Sequence, residues 1–272
     1  EKNNSRLRDL ETVLRWEGRL DNARVRAICG VQPVWASRLI AELVETLGSR
    51  VRRASSHAPL VWAGGARADV HGSPDADDYL RVMLASAGRP EWLEDARLEL
   101  GTASRGVFAE VVQAVQRQVG LRVHYRSMNH PEGSERVIFP HSLVRAPRRW
   151  HVRAWCQANQ DFRDFTLGRI SQAVLLEESS AHPADTDDAW CRKETVTLVP
   201  HPSLSQAQQK LIALENFAGK PFRQLTTRAC LMEYVLQDLR VAVDPQRHSP
   251  PHYQLALQAP RKAVPGAWAT PR

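Results

Sequence analysis

The stretch Arg149–Cys156, "RWHVRAWC", alternates as a strand does: Trp150, Val152, Ala154 and Cys156 fall on one side, and His151, Arg153 and Trp155 on the other. An arginine in the middle of such a strand is either solvated or held in a pocket, where it calls for an anionic partner. Four more segments share this length and alternation: "LRVHYRS" (121–127), "ERVIFPHSLV" (135–144), "DFRDFTL" (161–167) and "QAVLLEES" (172–179). Asn, Pro, Gly and Asp occupy the turns between them, so the five predict a small antiparallel barrel.

Alternation sets Leu121, Val123 and Tyr125 against Arg122, His124 and Arg126, and puts Phe139, His141 and Leu143 on one face. If the barrel closes, Tyr125, His141, Arg153 and Arg169 converge from different strands, and a register slip of one residue would scatter them. Each also has a plain structural alternative. Tyr125 fits a core position, His141 a bond to backbone, and Arg169 a pairing with Asp164 or a helix C-terminus.

Residues 5–62 read as three helices followed by a hairpin. Leu7, Leu10 and Leu14 stripe the first helix, Asp21 or Asn22 caps a second that carries Val25 and Ile28 inward, and Gly30 breaks it. Pro33, after Gln32, opens a third helix that runs to about Leu47 before Gly48. "SRVRR" (49–53) and "PLVW" (59–62) make a two-stranded wing around "ASSHA".

At 100° per residue, Ala36, Leu39, Ile40, Leu43 and Leu47 face a core, whereas Val34 and Arg38 project oppositely with Ser37 and Ala41 beside them. Such a helix suits a DNA major groove. Arg38 would pair with guanine, Val34 would touch a thymine methyl, and Ser37 or Gln32 would hold a phosphate or an adenine edge. Arg50, Arg52 and Arg53, with His57 at the tip, would run along the adjacent backbone. The alternative is a three-helix bundle with a solvated charged face. Trp35 lies between the two faces and is assigned to packing.

The charge agrees with a polyanion partner. The chain has 272 residues and a net charge of +7, with 12 Lys/Arg against 7 Asp/Glu through residue 67 and 11 against 7 over 105–180. The start, "EKNNSRLRDL", lacks a signal-peptide core, and no apolar run reaches membrane-spanning length, so a cytoplasmic location away from membranes is expected. Four scattered cysteines and ten histidines show no zinc spacing, and neither a metal nor a cofactor is expected.

Residues 64–78, "GGARADVHGSPDADD", read as a linker, followed by a helical pair, "YLRVMLASAG" (79–88) and "EWLEDARLEL" (91–100). A further helix over 105–120 puts Val107, Val111, Val115 and Val119 on one face. Beyond "AHPADTDDAW" (181–190), "ETVTLVPHP" reads as a strand, while "SQAQQKLIALEN" and "ACLMEYVLQDL" read as helices. The Pro-rich end from Asp244 is expected to be partly irregular.

The segment from about 105 to 180 resembles the WYL domain of bacterial transcription regulators. The likeness rests on Tyr125 in "VHYRS", Arg136, "PHSLV" from Pro140, "RWHVRAWC", and "DFTLGRI" through Arg169 and Ile170. The family's Trp-Tyr-Leu stands here as Trp150-His151-Val152. That form, followed by Arg153 and a Cys-ended strand, is similar to repressors encoded beside anti-phage systems such as BREX and CBASS.

The resemblance implies an α+β multidomain chain. Residues 1–66 would form a winged helix-turn-helix, 67–104 a helical linker, 105–182 a ligand-sensing SH3- or Sm-like WYL β-barrel, and 183–272 a C-terminal α/β WCX-like dimerisation module. It implies a homodimeric repressor of a phage-defence operon, bound to a palindromic double-stranded DNA operator and relieved by an anionic ligand, a nucleic-acid fragment or nucleotide. By position the pocket would comprise Tyr125, Ser127, His141, Arg153 and Arg169; a guanidinium grips phosphate through two parallel hydrogen bonds. An activator or a ligand-responsive nucleic-acid-binding adaptor would have the same architecture. A nuclease is disfavoured, because no His/Asp/Glu cluster falls on the basic strands and neither a P-loop nor G-x-S-x-G is present.

Overall fold

In the computed structural model, which describes residues 2–64, 75–97 and 103–261, the chain divides into two units, residues 1–97 and 98–272. The first is built on helices α1 (Lys2–Glu17), α2 (Asn22–Cys29) and α3 (Pro33–Leu47). Helix α2 begins where the Asp21 carboxylate accepts from the Arg24 amide at 2.8 Å, and it ends at Gly30, whose φ of 63° suits glycine. Ala36, Leu39, Ile40, Leu43 and Leu47 of α3 are buried against Leu10, Val13 and Leu14 of α1, as the helical period predicts. Each such leucine contributes about 1.5–3 kcal/mol.

The hairpin expected as a wing forms from β2 (Val51–Arg52) and β3 (Leu60–Trp62), and it gains a strand: β1 (Arg19–Leu20) pairs with β3 in the order β1-β3-β2. Helix α4 (Ala76–Ala85), capped by Asp75, buries Val82 and Met83 in this same core. Arg24 fixes it from α2, donating to Glu17 and, at 2.9 Å, to the Gly88 carbonyl, while the Tyr79 hydroxyl donates to Glu17. The second helix expected, over 91–100, does not form in residues 91–97. There the Asp95 carboxylate takes the Arg97 amide at 2.9 Å, and Arg89 takes the Leu93 carbonyl, local bonds that compete with a helix. Residues 98–100, like linker residues 65–74, lie outside the described residues.

The second unit opens with α5 (Arg105–Arg117), capped by Ser104, which buries Val107, Val111 and Ala114. Five strands follow: β4 (Val119–Tyr125), β5 (Ser134–Ala146), β6 (Arg149–Cys156), β7 (Asp161–Thr166) and β8 (Ile170–Ser179). All expected segments are strands, paired antiparallel in the order β7-β6-β5-β4-β8. No β7–β8 ladder is found among the described residues. The two outer strands are instead consecutive through the turn Leu167–Arg169, which the Arg126 amide secures by donating to the Arg169 carbonyl.

A short helix, α6 (Asp188–Cys191), leads into a second sheet of β9 (Lys193–Pro200), β10 (Arg223–Arg228), β11 (Val241–Ala242) and β12 (Leu255–Leu257), ordered β10-β9-β12-β11. Helices α7 (Gln206–Phe217) and α8 (Met232–Asp238) pack on it through Ile212, Phe217, Met232 and Leu236. Part of the Pro-rich end is thus ordered, because Leu255, Ala256 and Leu257 occupy an interior strand and are buried. Residues 262–272 lie outside the described residues.

Candidate nucleic-acid interface and ligand cavity

On the outer side of α3, Gln32, Val34, Trp35, Ser37 and Arg38 are all exposed, Val34 by 65% and Trp35 by 53%. The Asn22 amide donates to both the Pro33 carbonyl and the Ser37 hydroxyl at 2.9 Å, so α2 fixes the first turn of α3. The Arg38 guanidinium lies 5.2 Å from the centre of the Trp35 ring. Trp35 therefore belongs to the exposed surface and not to the core, which corrects its assignment to packing: a residue between the two helix faces can turn to either, and here it lies beside Arg38.

The wing arginines divide by role. Arg52 and His57 are exposed. Arg53 reaches across the wing tip to the carbonyls of Ala58 and Ser56, which braces the turn. Arg50 folds back on the C-terminus of α3, towards the Leu47 and Thr46 carbonyls.

Strand β6 is buried on both faces, and Arg153 is 3% exposed. Its Nε and Nη2 donate to the two oxygens of Asp187 at 2.6 and 3.1 Å, and Nη1 donates to Asp164 at 3.3 Å. Asp187 also caps α6 and sits 3.2 Å from His141 Nε2, while the Tyr234 hydroxyl donates to the second oxygen of Asp164 at 2.9 Å. Burial works against the Arg153 charge, but the bonds it donates to Asp187 and the charges of both aspartates outweigh it and raise its pKa. Burial would likewise raise Asp187, yet His141 and Arg153 hold it well below the usual carboxylate range. Asp164, with a single longer contact to the arginine, is raised because burial prevails over its partners.

The expected convergence of Tyr125, His141, Arg153 and Arg169 is divided. His141 sits at a bulge in β5, where the ladder slips between Pro140 and Ser142, so the shared face expected for Phe139, His141 and Leu143 is broken and His141 meets Asp187. Arg153 meets the same aspartate because the C-terminal segment covers its face of β6. Arg169 adds positive charge near His151.

Tyr125 and Ser127 instead line a cavity of about 330 Å³ with Asn129, His130, Arg136, Asn159, Arg163, Asp164 and Phe165. Tyr125 packs edge-on against Phe165 at 5.0 Å. Arg163 Nε is buried and unpaired among the described residues, although its terminal nitrogen lies 3.1 Å from Asp161. Arg136 has no carboxylate within salt-bridge distance among the described residues. Arg163 and Asp164 were visible as charged positions in "DFRDFTL"; the sequence carried no signal of which side of the sheet would stay open. Asp187 was missed, and its one visible sign was an aspartate ahead of "DAW", suited to an N-cap.

His151, 1% exposed, packs on Tyr234 with 4.8 Å between ring centres, and neither ring nitrogen has a hydrogen-bond partner among the described residues. Burial first, then the charges of Arg149 and Arg169, lowers its pKa to about 4.

Residues 106–175 match the WYL domain family, and residues 193–264 match the C-terminal dimerization domain of the BrxR transcriptional regulator. Curated relatives include the DNA-binding transcriptional repressors CapW of Pseudomonas aeruginosa, 31% identical over 93% of this chain and 88% of that protein, and of Escherichia coli (strain KTE188), 29% identical with the same coverage. CapW of Stenotrophomonas maltophilia is 39% identical over 49% of this chain and 44% of that protein. The fold and the paired domains define a WYL-domain protein with a BrxR-type dimerization domain. The chain belongs to the CapW family of DNA-binding transcriptional repressors.

Proposed function

We propose that this chain is a homodimeric DNA-binding transcriptional repressor in which residues 2–64 act as a winged helix-turn-helix. The observation that carries this reading is α3. One face is buried in the core of the first unit, while Gln32, Val34, Ser37 and Arg38 are exposed, with the Asn22 clamp orienting the first turn. The wing contributes Arg52 and His57 beside the groove, and Arg53 stiffens it. Dimerisation through residues 193–264 sets two recognition helices on a palindromic operator, with half-sites about 34 Å apart or a multiple of that. Fluorescence anisotropy with the chain's own promoter and a shuffled duplex tests it: preference for the promoter supports the repressor, and equal binding contradicts it.

The segment from α5 to β8 acts as the sensor, folded as a small SH3-like barrel. Its ligand is an anionic nucleotide or nucleic-acid fragment in the Tyr125–Arg163 cavity, where Arg136 and Arg163 meet phosphate and Tyr125 and Phe165 offer an aromatic wall. Release from the operator requires that this ligand bind the two dimer geometries unequally. A phage-defence operon is the regulated target this reading favours.

A further inference from the structure

We propose that Trp35 is a positioning residue for base recognition: its indole holds the Arg38 guanidinium in place on the outer side of α3 and so aims the donors that read a base. This rests on the reading of α3 as the recognition helix, and deepens it. Trp35 is 53% exposed, although the α3 residues that anchor the helix to the core are buried. Its ring meets the Arg38 guanidinium at 5.2 Å, across the three-residue spacing that brings side chains together on one helix face. The Asn22 amide fixes the turn between them through the Pro33 carbonyl and the Ser37 hydroxyl.

What holds Arg38 decides what it can still bind. Glu42, one turn further along α3, is the natural ion-pair partner, but its carboxylate accepts from the Asn3 amide of α1 at 2.5 Å. Among the described residues Arg38 has neither a carboxylate within salt-bridge distance nor a hydrogen-bond acceptor. A guanidinium carries five N–H donors in a fixed fork. A carboxylate would occupy that fork and would have to be displaced before guanine O6 and N7 could bind. An aromatic ring attracts the cation without supplying an acceptor atom, so the fork stays open to the base. The ring also restricts the long side chain beforehand, so Arg38 gives up less rotamer freedom on docking.

The test is fluorescence anisotropy of the full chain on the promoter duplex and on duplexes altered one base pair at a time. The proteins compared are wild type, Trp35→Ala, Trp35→Phe, Trp35→Leu, Arg38→Ala and the double variant Trp35→Ala/Arg38→Ala. Trp35→Ala should weaken promoter binding roughly two- to fivefold, the worth of an exposed cation–π contact. Trp35→Phe, which keeps a ring face, should recover part of that loss, and Trp35→Leu, which keeps only apolar bulk, should not. The loss should fall on the same base pair whose alteration Arg38→Ala no longer senses, and the double variant should bind as Arg38→Ala does. Thermal midpoints should match the wild type, because the side chain lies outside the core, so a folding defect cannot produce this pattern. If Trp35→Ala costs as much in the Arg38→Ala background, the indole touches DNA directly and the proposal is overturned. It is overturned as well if the wild type discriminates between duplexes and Trp35→Ala does so equally, an outcome that leaves α3 as the reading helix. A wild-type chain with no preference for its promoter overturns both.

Discussion

Arg153 grips both oxygens of Asp187, at 2.6 and 3.1 Å, and so ties the middle of β6 to the segment that leads into the C-terminal sheet. Both side chains are almost wholly buried, at 4% and 2% exposed. A buried ion pair of this kind gives little net stability over an apolar pair, but breaking it strands a charge. Asp164 extends the pair to Tyr234 on α8, and Asp164 is also a wall of the Tyr125–Arg163 cavity. The arginine that alternation offered as a sensing group therefore holds that wall and the C-terminal module together.

Replacing Arg153 by Ala should lower stability by about 3–5 kcal/mol, as expected when one partner of a buried pair is removed. The double replacement Arg153→Met with Asp187→Leu should recover a large part of that loss. Urea unfolding of the three proteins measures it. If the single and double variants are equally destabilised, the ion pair is not the source.

Tyr234→Phe removes one hydrogen bond to a buried carboxylate and little volume, so it should cost about 1–3 kcal/mol. A double-mutant cycle with Asp164→Asn should show the two changes to be non-additive. Simple additivity would mean that the 2.9 Å contact carries no energy.

Acid should weaken the fold in two stages. His151 is held neutral, with a pKa near 4 against about 6.5 unfolded, so the unfolded chain binds the extra proton between those values. Its contribution, on the order of 3 kcal/mol, is fully present above pH about 6.5 and is lost as pH falls towards 4. Asp187 is lowered, so its contribution is present above the unfolded value and disappears at still lower pH, through its folded pKa. Urea midpoints from pH 7 to 4, in buffer without phosphate, should fall steadily, and His151→Phe should flatten the upper part of that curve. An unchanged slope in the variant would remove His151 from the account.

Arg136→Ala should leave operator affinity unchanged and weaken the release of DNA by a phosphorylated oligonucleotide by roughly tenfold or more, the worth of one charge-assisted bond to phosphate. Anisotropy of a preformed complex titrated with that oligonucleotide measures it. Normal release would place the ligand elsewhere.

Much of this architecture was legible in local patterns. The 100° period picked out the buried face of α3, Asp21 and Gly30 punctuated α2, and alternation found every strand of the five-stranded sheet. What failed depended on distant chain. Alternation sorts residues to two faces of β6 but cannot say that Asp187, His182 and Tyr234 return to cover the second. The bulge at His141 has no marker beyond Pro140, and it changes which side chains meet. β12 hides in a Pro-rich segment because a three-residue strand is too short to show a period. The head was readable because its core is formed by near neighbours; the polar network was not, since its members are 11 to 70 residues apart.

Operator reading by the exposed N-terminal face of α3 is open to direct test. The most direct measurement is the affinity of the full chain and of Arg38→Ala for the promoter duplex and for duplexes altered one base pair at a time. The wild-type chain should discriminate, and Arg38→Ala should lose about 1–3 kcal/mol with relaxed choice at one position in each half-site. If Arg38→Ala binds every duplex as the wild type does, or weakens all of them uniformly, α3 does not read the operator through Arg38.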